Sequence, residues 1–285
     1  MTFHKLLNKH LKLSKKYNVE PEGVKLLILE LSGLNGAEFL ASFNDDVNDE
    51  LLEKIEAGLE KYYNGIPAQH IIGYSYFYGY KMIVNDQVLI PRPETEELVG
   101  YVLSYYDEMF PNQRVDVVDV GTGSGNIAIA LSKEESNFTM YASDISCEAL
   151  AVAKQNAINN EANITFLQGN MLDPIIELNK KFDILVSNPP YIPDDEYVEP
   201  LVKDHEPNVA LFGGDQGMKF YNEIFEKSHT ILKDKAIMAF EHSHKTKELM
   251  LALANKHYPL AKSFVIKDLQ GKDRFLIVLI GDNND

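Results

Sequence analysis

Residues 115–134 read VDVVDVGTGSGNIAIALSKE, and this stretch decides the fold. Val115 to Val120 is dense in β-branched residues, the composition of a buried strand. Glycine-rich 121–125 interrupts it, and Asn126 onward resumes with the pattern of a helix. A strand, a tight glycine turn and a helix in that order open a βαβ unit. The same alternation continues downstream. Strands are predicted at 138–143, 164–168, 182–187 and 235–241, and helices at 147–160, 218–232 and 245–256. Two closing strands near 261–267 and 273–280 have Gln270-Gly271 between them, which predicts an antiparallel hairpin at the sheet edge. The region from 111 to 285 is therefore an α/β domain on a mostly parallel sheet.

Upstream the pattern changes. Phe3, Leu6, Leu7 and Leu11 recur at helical spacing, as do Val24, Leu27, Ile28 and Leu31, with Gly33 as a stop. Residues 49–63 give a third amphipathic helix whose acidic first turn suits the helix dipole. Residues 1–73 are thus a small helical domain. Lys5, Lys9, Lys12, Lys15 and Lys16 read as a solvated helix face, with an acidic partner or RNA as the alternative. The segment 74–90 is rich in Tyr, Phe, Val and Ile and predicts a β-hairpin turning at Asn85-Asp86. Pro67, Gly73 and Pro91 punctuate the boundary, so 74–110 is read as a linking segment.

Composition limits the functions available. The 285 residues are 45% hydrophobic and 25% charged, an ordinary globular profile. Lys+Arg 27 against Asp+Glu 43 leaves a net charge of −16, unsuited to generic phosphate-backbone binding. The single Cys147 excludes an internal disulfide and any multi-cysteine zinc site, and fits a reducing compartment. No apolar run is long enough for a membrane span and the start is not a secretory signal, so the chain is expected in the cytoplasm.

The glycine loop is the first chemical signal. Gly121, Gly123 and Gly125, with Thr122 and Ser124 between them, let a backbone turn sharply and a ligand approach without a Cβ clash. Asp144, closing the next strand, offers a carboxylate to both hydroxyls of a ribose. This arrangement serves NAD and S-adenosylmethionine equally well. The choice comes from Asn188-Pro189-Pro190-Tyr191, directly after the strand FDILVS. Two prolines stiffen the chain and leave fixed carbonyl acceptors, and the Asn188 amide adds another oxygen. Adjacent rigid acceptors suit a substrate –NH2 group and aim its nitrogen at an electrophile. Tyr191 offers a flat face to a planar amide or base.

Together these motifs resemble the class I methyltransferases that act on planar amino groups. Leu89 to Glu96 (LIPRPETE) narrows the resemblance to the release factor glutamine methyltransferase family (PrmC/HemK). It continues through DVGTGSGNIAIAL, the DISCEAL run at 144–150, Asn156-Ala157, NPPYI, Glu206-Pro207 and LFGGD at 211–215. The resemblance implies a Rossmann-like, mostly parallel seven-stranded sheet behind a helical domain that recognises substrate. It implies methyl transfer from S-adenosyl-L-methionine to the glutamine N5 of the Gly-Gly-Gln motif in peptide chain release factors, with the chain acting as a monomer. Gly121 to Gly125 would line the cofactor, Asp144 would bind its ribose, and Asn170 and Met171 would contact the adenine. Asn188 would face both cofactor and substrate amide. Pro189 would supply a second carbonyl acceptor beside Pro190, and Tyr191 would shape the glutamine pocket. Family sequences often carry an acidic residue where Asn170 stands. Arg92, Glu94 and Glu96 either order the hairpin against the cofactor or form structural ion pairs.

Three competing functions stay open. An adenine methyltransferase of DNA or RNA shares NPPY, although the charge and the lack of a target-reading insertion count against it. The others are a ribosomal-protein glutamine methyltransferase and a non-catalytic or NAD-binding domain. His242 and His244 are read as surface residues rather than metal ligands, and Cys147 as a small packing residue.

Overall fold

The computed structural model describes residues 1–197 and 205–281 and divides into two compact units. The first comprises, among the described residues, 1–74 and 205. Its helices are α1 (Phe3–Tyr17), α2 (Pro21–Ser32), α3 (Gly36–Ala41), α4 (Asp49–Tyr63) and α5 (Ala68–Ile72). The short α3 and α5 escape the sequence reading. Side chains cap α1 and α4: the Lys5 N–H donates to Thr2 Oγ1 at 3.3 Å and the Leu51 N–H donates to Asn48 Oδ1 at 2.8 Å, whereas α2 has Pro21 in its first turn and no side-chain cap. The apolar stripes of α1, α2 and α4 meet in a core that includes Phe3, Leu6, Leu27, Ile28, Ile55 and Leu59. The five lysines of α1 are exposed.

The second unit comprises, among the described residues, 75–197 and 206–281. It opens with strands β1 (Tyr74–Phe77) and β2 (Tyr80–Ile83), which form a two-stranded sheet. The turn is Tyr78-Gly79, not the predicted Asn85-Asp86. Both turn residues have positive φ, 52° and 82°, the pairing that two-residue hairpins require. Asn85 instead accepts the Gln87 N–H in a local turn after the hairpin. A long helix follows, α6 (Pro93–Met109), where the sequence predicted only a linking segment. Its Leu98, Val99 and Val102 are fully buried in the main core beside Phe77 and Met82, so hairpin and helix are part of this unit.

Seven strands make the main sheet: β3 (Val115–Val120), β4 (Phe138–Asp144), β5 (Ile164–Gln168), β6 (Phe182–Ser187), β7 (Leu232–Glu241), β8 (Lys262–Lys267) and β9 (Asp273–Ile280). Their order is β5-β4-β3-β6-β7-β9-β8. β3 to β7 are parallel, and β9 runs antiparallel between β7 and the edge strand β8. Helices α7 (Asn126–Glu134), α8 (Cys147–Asn159), α9 (Asp173–Ile176), α10 (Lys219–Ser228) and α11 (Lys247–His257) complete the chain. α10 ends sooner than predicted, because β7 already begins at Leu232. Successive residues of β3 serve opposite faces: Val117 enters one apolar core and Val118 the other. Among the described residues no helix is long and apolar enough to cross a membrane.

Two buried polar residues tie the hairpin and the glycine turn to this frame. Asn156 on α8 is fully buried. Its Oδ1 accepts the Ile83 N–H at 2.7 Å, and its Nδ2 donates to the Ile83 and Ser124 carbonyls at 3.0 and 2.9 Å. Asn156→Ala strands three backbone groups, so we expect a loss of about 3 kcal/mol or more in chemical denaturation. Asp119, also fully buried, accepts the Thr122 hydroxyl at 2.6 Å. Burial, opposed by that hydrogen bond, pushes its carboxyl from 3.8 up to about 7. Between those values the folded chain holds a proton that the unfolded chain releases, so this residue makes stability fall as pH rises. Unfolding free energies of wild type minus Asp119→Asn, measured from pH 4 to 8, should show that slope.

Candidate active site

The strand order reverses at β3, whose neighbours β4 and β6 precede the loops that carry the predicted site residues. Ligands of open α/β sheets sit at such a switch point, beyond the carboxyl ends of the strands. A cavity of about 230 Å³ lies there. After β3 the chain turns through Gly121 and Gly123, with φ of 73° and 54°. Both line the cavity, and a Cβ added to either would meet no atom within 4 Å. Their bareness leaves room for a ligand instead of serving internal packing. Gly125 differs: it caps α7, and an added Cβ would stand 3.1 Å from that of Ala153, so its role is close helix packing. Thr122 and Ser124 line the cavity yet are almost wholly buried.

Asp144 closes β4 at the cavity wall. Its carboxylate accepts the Gly123 N–H at 2.8 Å and the Ser146 N–H at 2.9 Å. Burial raises its pKa, and these backbone donors counter the shift. A carboxylate has about four acceptor positions, so two remain for a pair of ligand hydroxyls. Asn170 and Met171 follow β5 and also line the cavity. Met171 holds φ of 43°, a left-handed conformation uncommon for a long side chain. The Asn170 Nδ2 donates to Glu223 at 3.2 Å.

Beyond β6, Asn188 and Pro190 line the cavity, and Pro189 between them is buried. Tyr191 is not part of the cavity wall; its hydroxyl donates to Glu241 at 3.2 Å. The Asn188 Nδ2 donates to Thr95 Oγ1 at 3.3 Å, and the Thr95 hydroxyl donates to Glu241 Oε2 at 2.7 Å. Thr95, in the first turn of α6, and Glu241, at the end of β7, are both buried and escape the sequence reading. Burial raises the Glu241 pKa, opposed first by the Thr95 hydrogen bond and then by the Arg274 charge. Burial also lifts the Tyr191 phenol far above its ordinary range. The LFGGD stretch explains itself here. A Cβ on Gly213 would lie 2.4 Å from the Pro190 carbonyl oxygen, and one on Gly217 would lie 2.1 Å from that of Tyr191. Glycine alone lets this loop press against NPPY.

The LIPRPETE charges separate into distinct tasks. Glu96 accepts the Tyr78 N–H at 2.8 Å and so orders the hairpin turn. Arg92 Nη2 donates to both oxygens of buried Glu206, at 2.7 and 2.8 Å. Glu94 accepts from the Gln270 amide at 3.1 Å. His242 is fully buried, contrary to the surface reading, with Nδ1 2.8 Å from the Ser243 carbonyl, while His244 is exposed. Cys147 is exposed as well, not packed. Glu148 beside it raises the thiol pKa, so the helix N-terminus does not activate it.

The site fits an adenosine-containing cofactor such as S-adenosylmethionine. Asp144 keeps acceptors for ribose hydroxyls, the bare glycines leave space along the loop, and Leu89, Ile127, Ala149 and Met171 give apolar walls for an adenine.

Comparisons with known proteins agree with this geometry. The methyltransferase small domain family matches residues 105–204, and the PrmC N-terminal domain family matches residues 10–73. The release factor glutamine methyltransferase of Bacillus subtilis (strain 168) is 42% identical over 93% of each chain. That of Staphylococcus aureus (strain NCTC 8325 / PS 47) is 32% identical over 97% of this chain and 98% of its own. Among solved structures, the delta-N METTL16 methyltransferase domain aligns with a TM-score of 0.53 at 15% identity, covering 71% of this chain and 89% of that one. The RsmC 16S rRNA methyltransferase of T. Thermophilus aligns at 0.50 and 13% identity, covering 73% of this chain and 49% of its own. These two structures share the fold, that of class I methyltransferases. With close relatives matched over nearly the full length of both chains, this protein belongs to the release factor glutamine methyltransferase family.

Proposed function

We propose that this chain methylates the side-chain amide nitrogen (N5) of the glutamine in the Gly-Gly-Gln motif of peptide chain release factors, using S-adenosyl-L-methionine, and so tunes translation termination. The observation that carries the proposal is one cavity lined by the glycine loop, the Asp144 carboxylate and the Asn188 amide. When bound, S-adenosyl-L-methionine supplies an electrophilic methyl group on a sulfonium.

The chain's own residues do the rest by orientation. Gly121 to Ser124 flank the donor, Asp144 accepts from its ribose hydroxyls, and Asn170 and Met171 face its adenine. Asn170 keeps a neutral acceptor, Oδ1, where relatives often place a charged one. Asn188 Oδ1 accepts one N–H of the substrate amide and the Pro189 carbonyl accepts the other, which aims the nitrogen at the methyl group. An amide nitrogen is a weak nucleophile, so such fixed acceptors contribute through proximity and charge stabilisation. Tyr191 supports this loop from behind through Glu241.

Residues 1–73, with a core of their own, are read as the domain that grips the release factor body. The charge of −16 suits a basic, RNA-associated protein substrate better than nucleic acid itself. The enzyme is read as a cytoplasmic monomer.

The test incubates the purified chain with methyl-labelled S-adenosylmethionine and either a release factor or DNA and RNA. Label should enter the Gly-Gly-Gln glutamine; label in nucleic acid with none in protein overturns the proposal. Asn188→Ala should lower turnover on the release factor by roughly 10²-fold or more, as for loss of one preorganised polar contact.

A further inference from the structure

Glu241 stands behind the cavity wall without lining it, yet both ends of the NPPY segment lead to its carboxyl group. It sits on β7, is 2% exposed, and takes the Tyr191 hydroxyl on Oε1 and the Thr95 hydroxyl on Oε2. The Thr95 oxygen in turn receives the Asn188 Nδ2. Each link has a direction. An ionised carboxylate only accepts, so Thr95 spends its single proton on Glu241. What Thr95 then offers Asn188 is a lone pair, which an amide nitrogen can satisfy and an amide oxygen cannot. The two ends of an Asn side chain have nearly the same shape, so packing alone sets their order weakly. This relay sets it strongly, by leaving one order with an unpaired buried oxygen.

We propose that Glu241 and Thr95 are positioning residues that fix the flip state of the Asn188 amide, holding Nδ2 inward and Oδ1 toward the cavity. The consequence for chemistry is direct. A substrate –NH2 needs an acceptor; a flipped Asn188 presents its own –NH2, and two donors repel. Burial raises the Glu241 pKa, and the Thr95 hydroxyl, the Arg274 guanidinium and the Tyr191 hydroxyl oppose that shift in favour of the ionised form the relay uses. Tyr191, anchored on the other carboxylate oxygen, holds the end of the same segment. The TE of LIPRPETE thereby divides its labour, Thr95 serving Asn188 and Glu96 serving the hairpin turn.

This inference rests on the methyl-transfer reading, and the experiment separates the two. The full chain is assayed with S-adenosylmethionine and release factor as wild type, Thr95→Val, Thr95→Ser and Glu241→Gln, each also combined with Asn188→Ala. Val keeps the shape of Thr without its hydroxyl. Gln keeps the shape of Glu but replaces one of its two acceptor oxygens by a donor, so Thr95 and Tyr191 cannot both donate to it as they do to the carboxylate. Thr95→Val and Glu241→Gln should each lower kcat by about 10-fold, with the cofactor Kd from calorimetry within about 2-fold of wild type. Thr95→Ser should retain activity. In the Asn188→Ala background the same changes should lower kcat by less than about 2-fold, because their effect passes through the missing amide. Wild-type kcat in both Thr95→Val and Glu241→Gln overturns the positioning role. So do losses that multiply in full with Asn188→Ala, which mark a structural effect. No transfer by the wild type overturns the functional reading instead.

Discussion

The site depends on the register of three parallel strands. Val120 of β3 lies opposite Ser143 of β4 on one side and Ser187 of β6 on the other. The three loops that follow therefore leave the sheet side by side, and they carry the glycines, Asp144's neighbours and Asn188. Parallel strands make this possible, since only they end together at one edge. The ladder runs out where those loops begin, and buried groups take over its hydrogen bonds. The Ser187 hydroxyl donates to the Val120 carbonyl at 2.6 Å, and the Ser143 hydroxyl donates to the Met171 carbonyl at 3.2 Å. The Gly121 and Thr122 N–H groups both reach the Ser143 carbonyl at 2.9 Å. A slip of one residue would turn every side chain to the opposite face and scatter these contacts.

Burial of charge is the second theme. Asp119 and Glu241 lie within or behind the site wall, and burial raises both pKa values. Neither is without a donor, although only one oxygen of Asp119 is met. Each receives hydroxyl donors, Thr122 in one case and Thr95 with Tyr191 in the other. An unmet buried carboxylate is costly, so these groups hold their partners in one geometry. The same carboxylates that burden the fold give rigidity to the two loops where a ligand must be placed accurately.

Much of this was legible from residue patterns. The alternation from 115 to 280 announced the parallel sheet because buried strands and amphipathic helices have different periods. Gly121, Gly123, Asp144 and Asn188, which line one cavity, could be singled out because loop chemistry at strand ends is local in sequence. The failures also have physical causes. Asn85-Asp86 looks a better turn than Tyr78-Gly79, but Glu96, well downstream, accepts the Tyr78 N–H and fixes the hairpin there. Pro91 reads as a boundary and 74–110 as a linking segment, whereas Pro93 occupies the first turn of α6, where a missing N–H costs nothing. Tyr191 was expected in the pocket, and its hydroxyl is engaged by a residue from another strand.

Sequence by itself determined the class of fold and placed the glycine loop and the NPPY segment at strand ends, since each is written in neighbouring residues with a fixed period or spacing. Tertiary structure alone decided which of those residues face the cavity and what holds them. Gly125 became a packing contact against Ala153, Gly213 and Gly217 became the bed of NPPY, and Thr95 and Glu241 became partners of Asn188. The reason is that hydrogen-bond direction and close approach depend on which atoms meet in space. Thr95 and Glu241 lie far apart in the chain, and only the packing of α6 against β7 brings their oxygens within 2.7 Å.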